Sequence, residues 1–513
     1  MIDDRCKAAR FRKNWLGHKI RQVRGEQDGS PYSPRFHKNI MRRRPARRSR
    51  RYCKSVIAPP LAATPYLEDA SGYRGEAEQA FAPSDVQQLQ EIVLAASANK
   101  IPLTVAGAGT GLTGARVPHG GWIVSMERFR QLKIENGKAI CGAAVSLQEM
   151  QQAANKTGQF FGPNPTEYSA SIGGIIATNA GGARGFRFGS VRRHVLSLEV
   201  TFADGRTVRF RRGERVNFPI QTIRSPATTK NSAGYFLEPD VQCVDLLAGS
   251  EGTLGIISEA ELQLFAVPPA ILGGVVFFPT DEDALNAVDA WRTAPSLRLL
   301  EYMDGPSLDL LRPLQTGIPA KAQAALLIEQ DLQSQNDEEV DRWVERLAQH
   351  HAFENESWFG FSAAERERFA EFRHMLPAMI VDRVRRNGWP KFGSDFAAPI
   401  DRGRDLLAYY RQRGDEVLPG QYVIFGHIGD ANVHVNLLPA TAEQAQRGEE
   451  MMTDFARYAV SLGGTVAAEH GIGKTKIDLL KLMYSEAEIG AMRDVKRRLD
   501  PDCLLGRGTI FPV

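Results

Sequence analysis

The stretch Gly107-Ala108-Gly109-Thr110-Gly111-Leu112-Thr113-Gly114 decides the fold. From Gly109 to Gly114 it satisfies the spacing G-x-G-x-x-G. In a dinucleotide-binding βαβ unit those glycines open a helix whose N-terminus faces a pyrophosphate. Here Pro118, Gly120 and Gly121 follow, and Trp122 to Met126 reads as the next strand. No helix fits between them. The remaining reading is a loop whose backbone N–H groups wrap an anion directly, as a nest.

Two further segments work the same way. Ser171-Ile172-Gly173-Gly174 runs on to Asn179-Ala180-Gly181-Gly182, and Gly249-Ser250-Glu251-Gly252 runs on to Gly255-Ile256-Ile257. Both interleave apolar residues with glycines that permit close backbone approach. Together the three segments suggest a large, flat, phosphate-bearing ligand threaded between them.

The second half carries the polar chemistry. In Gly426-His427-Ile428-Gly429-Asp430-Ala431-Asn432-Val433-His434-Val435-Asn436, two histidines flank a turn. His434 and Asn436, two apart on a strand, share one face while Val433 and Val435 pack on the other. Thr465 to Lys474 reads as a further strand that ends in Glu469, His470 and a glycine turn. Two histidines and a glutamate brought together form a 2-His-1-carboxylate set suited to zinc, iron or manganese. The plainer reading, scattered core and surface histidines, stands beside it.

Around these motifs the periodicity predicts mixed α and β structure. A helix runs from Ser84, its N-cap, to Asn99, followed by a strand over Ile101–Val105. Ser146-Leu147-Gln148-Glu149 is a capping box opening a helix that Gly158 stops. Val195–Phe202, Asp204-Gly205 and Thr207–Phe210 form a hairpin. Beyond Pro268-Pro269, strands at Leu272–Phe278, Leu297–Tyr302 and Ala324–Glu329 alternate with helices at Asp281–Trp291 and Glu338–Ala348. That order suggests helices on one face of an antiparallel sheet. Strands at Tyr422–His427 and His434–Leu438 and a helix over Thr453–Ser461 follow.

Length and charge bound the function. The 513 residues hold 43% hydrophobic and 24% charged residues, which excludes wholesale disorder. The net charge of +4 averages two unlike pieces. Residues 1–60 hold 18 Lys+Arg against 4 Asp+Glu; the other 453 hold 46 against 56. The leader reads as a disordered tail, and no nucleic-acid binding is expected of the acidic remainder. Five scattered cysteines without C-x-x-C exclude an iron–sulfur cluster or zinc ribbon and suggest free thiols. The longest apolar run, Phe265 to Pro279, is too short to span a bilayer. A cytoplasmic protein is expected, peripheral to the inner membrane or mitochondrial as alternatives.

The glycine segments resemble the FAD-binding domain of the vanillyl-alcohol-oxidase/p-cresol-methylhydroxylase superfamily. More narrowly, residues 65–511 resemble its D-2-hydroxy-acid dehydrogenase branch, which includes D-lactate dehydrogenase, glycolate oxidase FAD subunits and D-2-hydroxyglutarate dehydrogenase. The resemblance implies an α+β fold: a FAD-binding domain over 61–268, a substrate or cap domain with an antiparallel sheet over 269–498, and a tail, 499–513, returning to the first.

By that likeness Gly107, Ala108, Gly109, Thr110, Gly111 and Thr113 would cradle the FAD pyrophosphate. Pro163, Ser171, Gly173, Gly174, Asn179, Gly182, Glu251, Gly252 and Ile257 would line the rest of the cofactor. Thr110 stands where covalently flavinylated members carry His, so non-covalent FAD is implied. His427, His434 and Glu469 match the metal ligands, with zinc expected and manganese or iron as alternatives, and His470 matches the proposed general base. Arg373, whose guanidinium suits a carboxylate, matches the substrate arginine. Lys391 is a looser match, and Asn436 would hydrogen-bond substrate beside His434.

Two positions depart from the pattern. Ala106 replaces a frequent Arg, and Leu499-Asp500-Pro501 is followed by Gly506-Arg507-Gly508-Thr509 rather than Asn-Pro-Gly-Lys. The implied activity is FAD-dependent oxidation of a D-2-hydroxy acid to a 2-oxo acid by a chain that is a candidate homodimer. Electrons would pass to a quinone, a cytochrome, an electron-transfer flavoprotein or a separate iron–sulfur subunit. The rival readings are a metal-dependent hydrolase of a nucleotide-like substrate and a nucleic-acid-binding protein acting through the leader.

Overall fold

Alternation along the strands after Pro269 governs the architecture. In the computed structural model, which describes residues 59–512, seven strands form one wholly antiparallel sheet. Its order is Trp358–Gly360, Ala270–Phe278, Ala324–Leu332, Leu297–Asp304, Tyr422–His427, Asn432–Leu437 and Phe392–Gly393. Val275, Phe277, Leu327, Met303 and Phe425 face one core with Phe372 and Leu376. Their neighbours Val276, Phe278, Leu326, Tyr302 and Ile424 face another with Trp291 and Trp343. Helices therefore cover both faces, not one. Because both alternate sets are apolar, leaving either bare would expose a continuous patch.

The first half is built from a three-stranded parallel sheet, with Trp122–Ser125 between Gln79–Phe81 and Leu103–Ala106. Beside it lies a five-stranded antiparallel sheet in the order Leu132–Glu135, Lys138–Gly142, Ile256–Gln263, Val195–Thr201 and Thr207–Arg211. The last two strands are the expected hairpin, and Ser146 and Glu149 make the expected capping box. The mixed helices and antiparallel sheets give an α+β fold. The C-terminal tail lies along the parallel sheet: Leu103 N–H donates to Leu504 O and Gly506 N–H to Leu103 O, each at 2.8 Å.

Several expectations need correction. The helix expected from Ser84 begins at Val86, because Asp85 accepts the Gln88 N–H at 2.9 Å and is the N-cap. The helix expected over Thr453–Ser461 starts at Ala442; its first turns carry Glu, Gln and Arg and no apolar stripe. A helix over Ala363–Asn387, capped by Ser362 and Glu365, was not anticipated. Thr465 to Lys474 is not a strand: Thr465 makes only an isolated bridge to Ala397. The N–H groups of Glu469 and His470 donate instead to the Asp395 carboxylate, at 3.2 and 2.9 Å.

Cys141, Cys243 and Cys503 are free thiols. The readings of the leader, Cys6 and Cys53 lie outside the described residues. Among the described residues no helix is long and apolar enough to cross a membrane.

Candidate active site

The three glycine segments converge on one cavity of about 820 Å³. Gly107, Ala108, Gly109, Thr110, Gly111 and Thr113 form one wall; Ser171, Gly173, Gly174, Gly182, Glu251, Gly252 and Ile257 form others. Arg373, Lys391, Asn436, His427, His434, Glu469 and His470 line the same space. Pro163 and Asn179 do not. Asn179 is buried, its amide donating to Asn231 O at 3.1 Å and its Oδ1 accepting the Arg192 N–H at 2.9 Å. It fastens the loop from behind.

The glycine loop is held open by side chains that sequence reasoning passed over. Asp69 accepts the Gly114 N–H at 3.1 Å, and Arg116 donates to Gly107 O at 2.9 Å and Pro65 O at 2.8 Å. Arg116 thus anchors the loop that Ala106 cannot. Gly109 has φ +85°, and a Cβ there would strike the Arg116 guanidinium. No acceptor among the described residues takes the N–H groups of Ala108 to Leu112. Free donors lining a cavity wall fit a phosphate-bearing group.

At the other wall, His427, His434 and Glu469 each offer a ligand atom, all within 4.8 Å of one another. Each histidine is oriented through its other nitrogen. His427 Nδ1 lies 2.5 Å from Glu301 Oε1, and His434 Nδ1 lies 2.8 Å from Ser394 O. Both Nε2 atoms are thereby left for the cluster, the arrangement that metal-binding histidines require. His427 Nε2 lies 3.1 Å from Glu469 Oε2. The other oxygen, Oε1, accepts the Gly182 N–H and pairs with Lys230 Nζ at 2.7 Å. The donor set fits a divalent cation.

Electrostatics separate the histidines. Burial lowers His427, but Glu301 and Glu469 outweigh it and lift the ring to about 9. Burial, then the charges of His427 and His470, push His434 down to about 3. His470 stacks on His434 with ring centroids 5.8 Å apart. Burial holds it below its ordinary value against the pull of Asp395, which favours a neutral, proton-accepting ring.

The cations follow. Arg373 Nε is 3.1 Å from Glu301 Oε2, and its guanidinium lies 4.7 Å from the Phe425 ring centre. Lys391 Nζ donates to Asn436 Oδ1 at 3.0 Å, and the surrounding protein lowers its pKa by desolvation. Lys230, Glu301 and Asp395 were not singled out from sequence. For Glu301 a signal existed: an acid flanked by Leu299, Leu300, Tyr302 and Met303 in a strand is rarely buried without a partner. Lys230 sits in an irregular segment and offered none.

Two family descriptions match: a FAD binding domain over residues 77–211 and the C-terminal domain of FAD linked oxidases over residues 267–510. A D-lactate dehydrogenase from Archaeoglobus fulgidus is 31% identical over 437 residues, spanning 83% of this chain and 90% of its own. The chain belongs to the FAD-linked oxidase family. Other relatives in the family include a glycolate oxidase subunit from Bacillus subtilis, 28% identical over 87% of this chain and 92% of its own. A D-2-hydroxyglutarate dehydrogenase from Stutzerimonas stutzeri is 26% identical over 84% and 90%. Alkyldihydroxyacetonephosphate synthase shares the fold at a TM-score of 0.61 and 15% identity, over 85% of this chain and 76% of its own. As a family member the chain is an FAD-linked oxidoreductase.

Proposed function

We propose that this FAD-linked oxidoreductase oxidises a D-2-hydroxy acid of the D-lactate, glycolate or D-2-hydroxyglutarate class to the 2-oxo acid. One observation carries the reading: the cluster of His427, His434, Glu469 and His470 shares its cavity with Arg373, Lys391 and the glycine walls. Bound FAD supplies the acceptor for the α-hydride. A divalent ion, zinc in first place, supplies the Lewis acid that lowers the hydroxyl pKa. His427, His434 and Glu469 would hold that ion.

The remaining work falls to the chain. Arg373 and Lys391 bind and orient the substrate carboxylate, and Asn436 hydrogen-bonds the substrate from the His434 face. His470 takes the hydroxyl proton, its Nδ1 steadied 3.5 Å from Asp395 Oδ2. The FAD is non-covalent, with Thr110 on the loop wall. Residues 61–268 bind the cofactor, 269–498 cap it, and 499–513 return beneath the loop. Electrons leave to a quinone, cytochrome, electron-transfer flavoprotein or separate iron–sulfur subunit. Cytoplasmic, membrane-peripheral and mitochondrial placements all fit this chemistry.

The deciding experiment is an anaerobic screen of D- and L-lactate, glycolate, malate and D-2-hydroxyglutarate against the purified protein, following flavin bleaching. The reading expects bleaching by at least one of these acids, with the D enantiomer preferred where the acid is chiral. An FAD-loaded protein reduced by none of them would refute it.

A further inference from the structure

The Glu301 carboxylate divides its two oxygens between two functional side chains. Oε1 lies 2.5 Å from His427 Nδ1, and Oε2 lies 3.1 Å from Arg373 Nε. Glu301 is 1% exposed and is not among the residues lining the cavity, so it meets the site only through these partners. It stands on Leu297–Asp304, which pairs through Tyr302 and Met303 with Gly426 and Phe425, so Glu301 and His427 lie on neighbouring strands inside the sheet, while Arg373 comes from the helix Ala363–Asn387. Accepting from Nδ1 fixes the ring so that Nε2 faces Glu469. Accepting from Nε fixes the guanidinium plane, and with it the direction of its remaining donors.

We propose that Glu301 is a positioning residue that sets the metal ligand His427 and the carboxylate anchor Arg373 in a single geometry. The inference rests on the metal and carboxylate roles given above. Its consequence is that one side chain outside the cavity governs both affinities.

Glu301→Gln tests it, since the amide keeps the shape but sets an N–H against one of two donors. In the FAD-loaded protein, zinc affinity measured by chelator competition should fall about 10- to 100-fold. Oxalate affinity, read at saturating zinc from the flavin spectrum, should fall about tenfold or more. FAD content should match wild type. Glu301→Asp, which keeps the charge but cannot span both partners, should lose at least one of the two affinities.

Unchanged affinities in variants that retain FAD overturn the proposal, as do losses that only track lost FAD and melting temperature. A wild-type protein that binds no zinc instead removes the metal reading, and the His427 half falls with it; the oxalate arm, run without zinc, still judges Arg373.

Discussion

Lys230 Nζ pairs with Glu469 Oε1 at 2.7 Å, and the lysine side chain is completely buried. A second carboxylate, Asp430, lies 2.9 Å away, and Gly182 O accepts from the same ammonium at 2.9 Å. The lysine occupies one oxygen of Glu469 and leaves Oε2 turned to His427. Lys230→Met would strand two buried carboxylates, which costs about 3–5 kcal/mol. Urea denaturation of the FAD-loaded protein measures this; a loss below about 1 kcal/mol would mean the pair behaves like an exposed one.

His434→Ala should remove turnover and leave FAD bound, because His434 is fastened to Ser394 and Phe425 and not to the glycine walls. Dialysis of the wild-type protein against a strong chelator should have the same effect. Full turnover of a metal-stripped protein counts against the metal role.

For His470→Ala, stopped-flow reduction of the flavin by substrate should slow by about 10²- to 10⁴-fold, the usual contribution of a positioned base. FAD content should not change. Reduction at the wild-type rate would remove the assignment.

Arg373→Lys keeps a charge but loses the planar fork and the Nε contact to Glu301. A charge-assisted hydrogen bond contributes about 1.5–3 kcal/mol, so kcat/KM should fall about 10- to 100-fold, mainly through KM. An unchanged KM would place the substrate carboxylate elsewhere.

Stability should carry a pH signature from Glu251. Burial raises its carboxyl from about 4.5 to about 7, although the N–H groups of Ile472 and Gly473 oppose the shift. Between those values the folded state binds more protons than the unfolded one, so stability falls as pH rises through the window. The slope approaches about 1.4 kcal/mol per pH unit at its steepest. Glu251→Gln, neutral throughout, should flatten that slope in denaturation series across the window. Parallel curves for the two proteins would dismiss the effect.

Some of the site was legible because it depends on local chemistry. A run of glycines with no room for a helix implies a loop that offers its own N–H groups, and the period-2 spacing of His434 and Asn436 puts both on one face. What failed was Thr465 to Lys474, read as a strand from its apolar run. Its N–H groups at Glu469 and His470 are claimed by Asp395 and those at Ile472 and Gly473 by Glu251, residues distant in sequence that no local pattern connects to it. The long helix from Ala363 was missed for a related reason: its buried residues Phe372, Arg373, Leu376 and Ile380 are few and its exposed faces are charged.

The sequence alone determined the composition of the site: glycine walls, two histidines, a glutamate and the cations. Local backbone freedom and side-chain chemistry are properties of residues and their near neighbours. Only the tertiary structure decided how those groups are held. Lys230 with Glu469 and Glu301 with His427 and Arg373 are buried pairings across elements. Each is selected because a charge removed from water must find its partner there, and which partner is near depends on how the sheets pack.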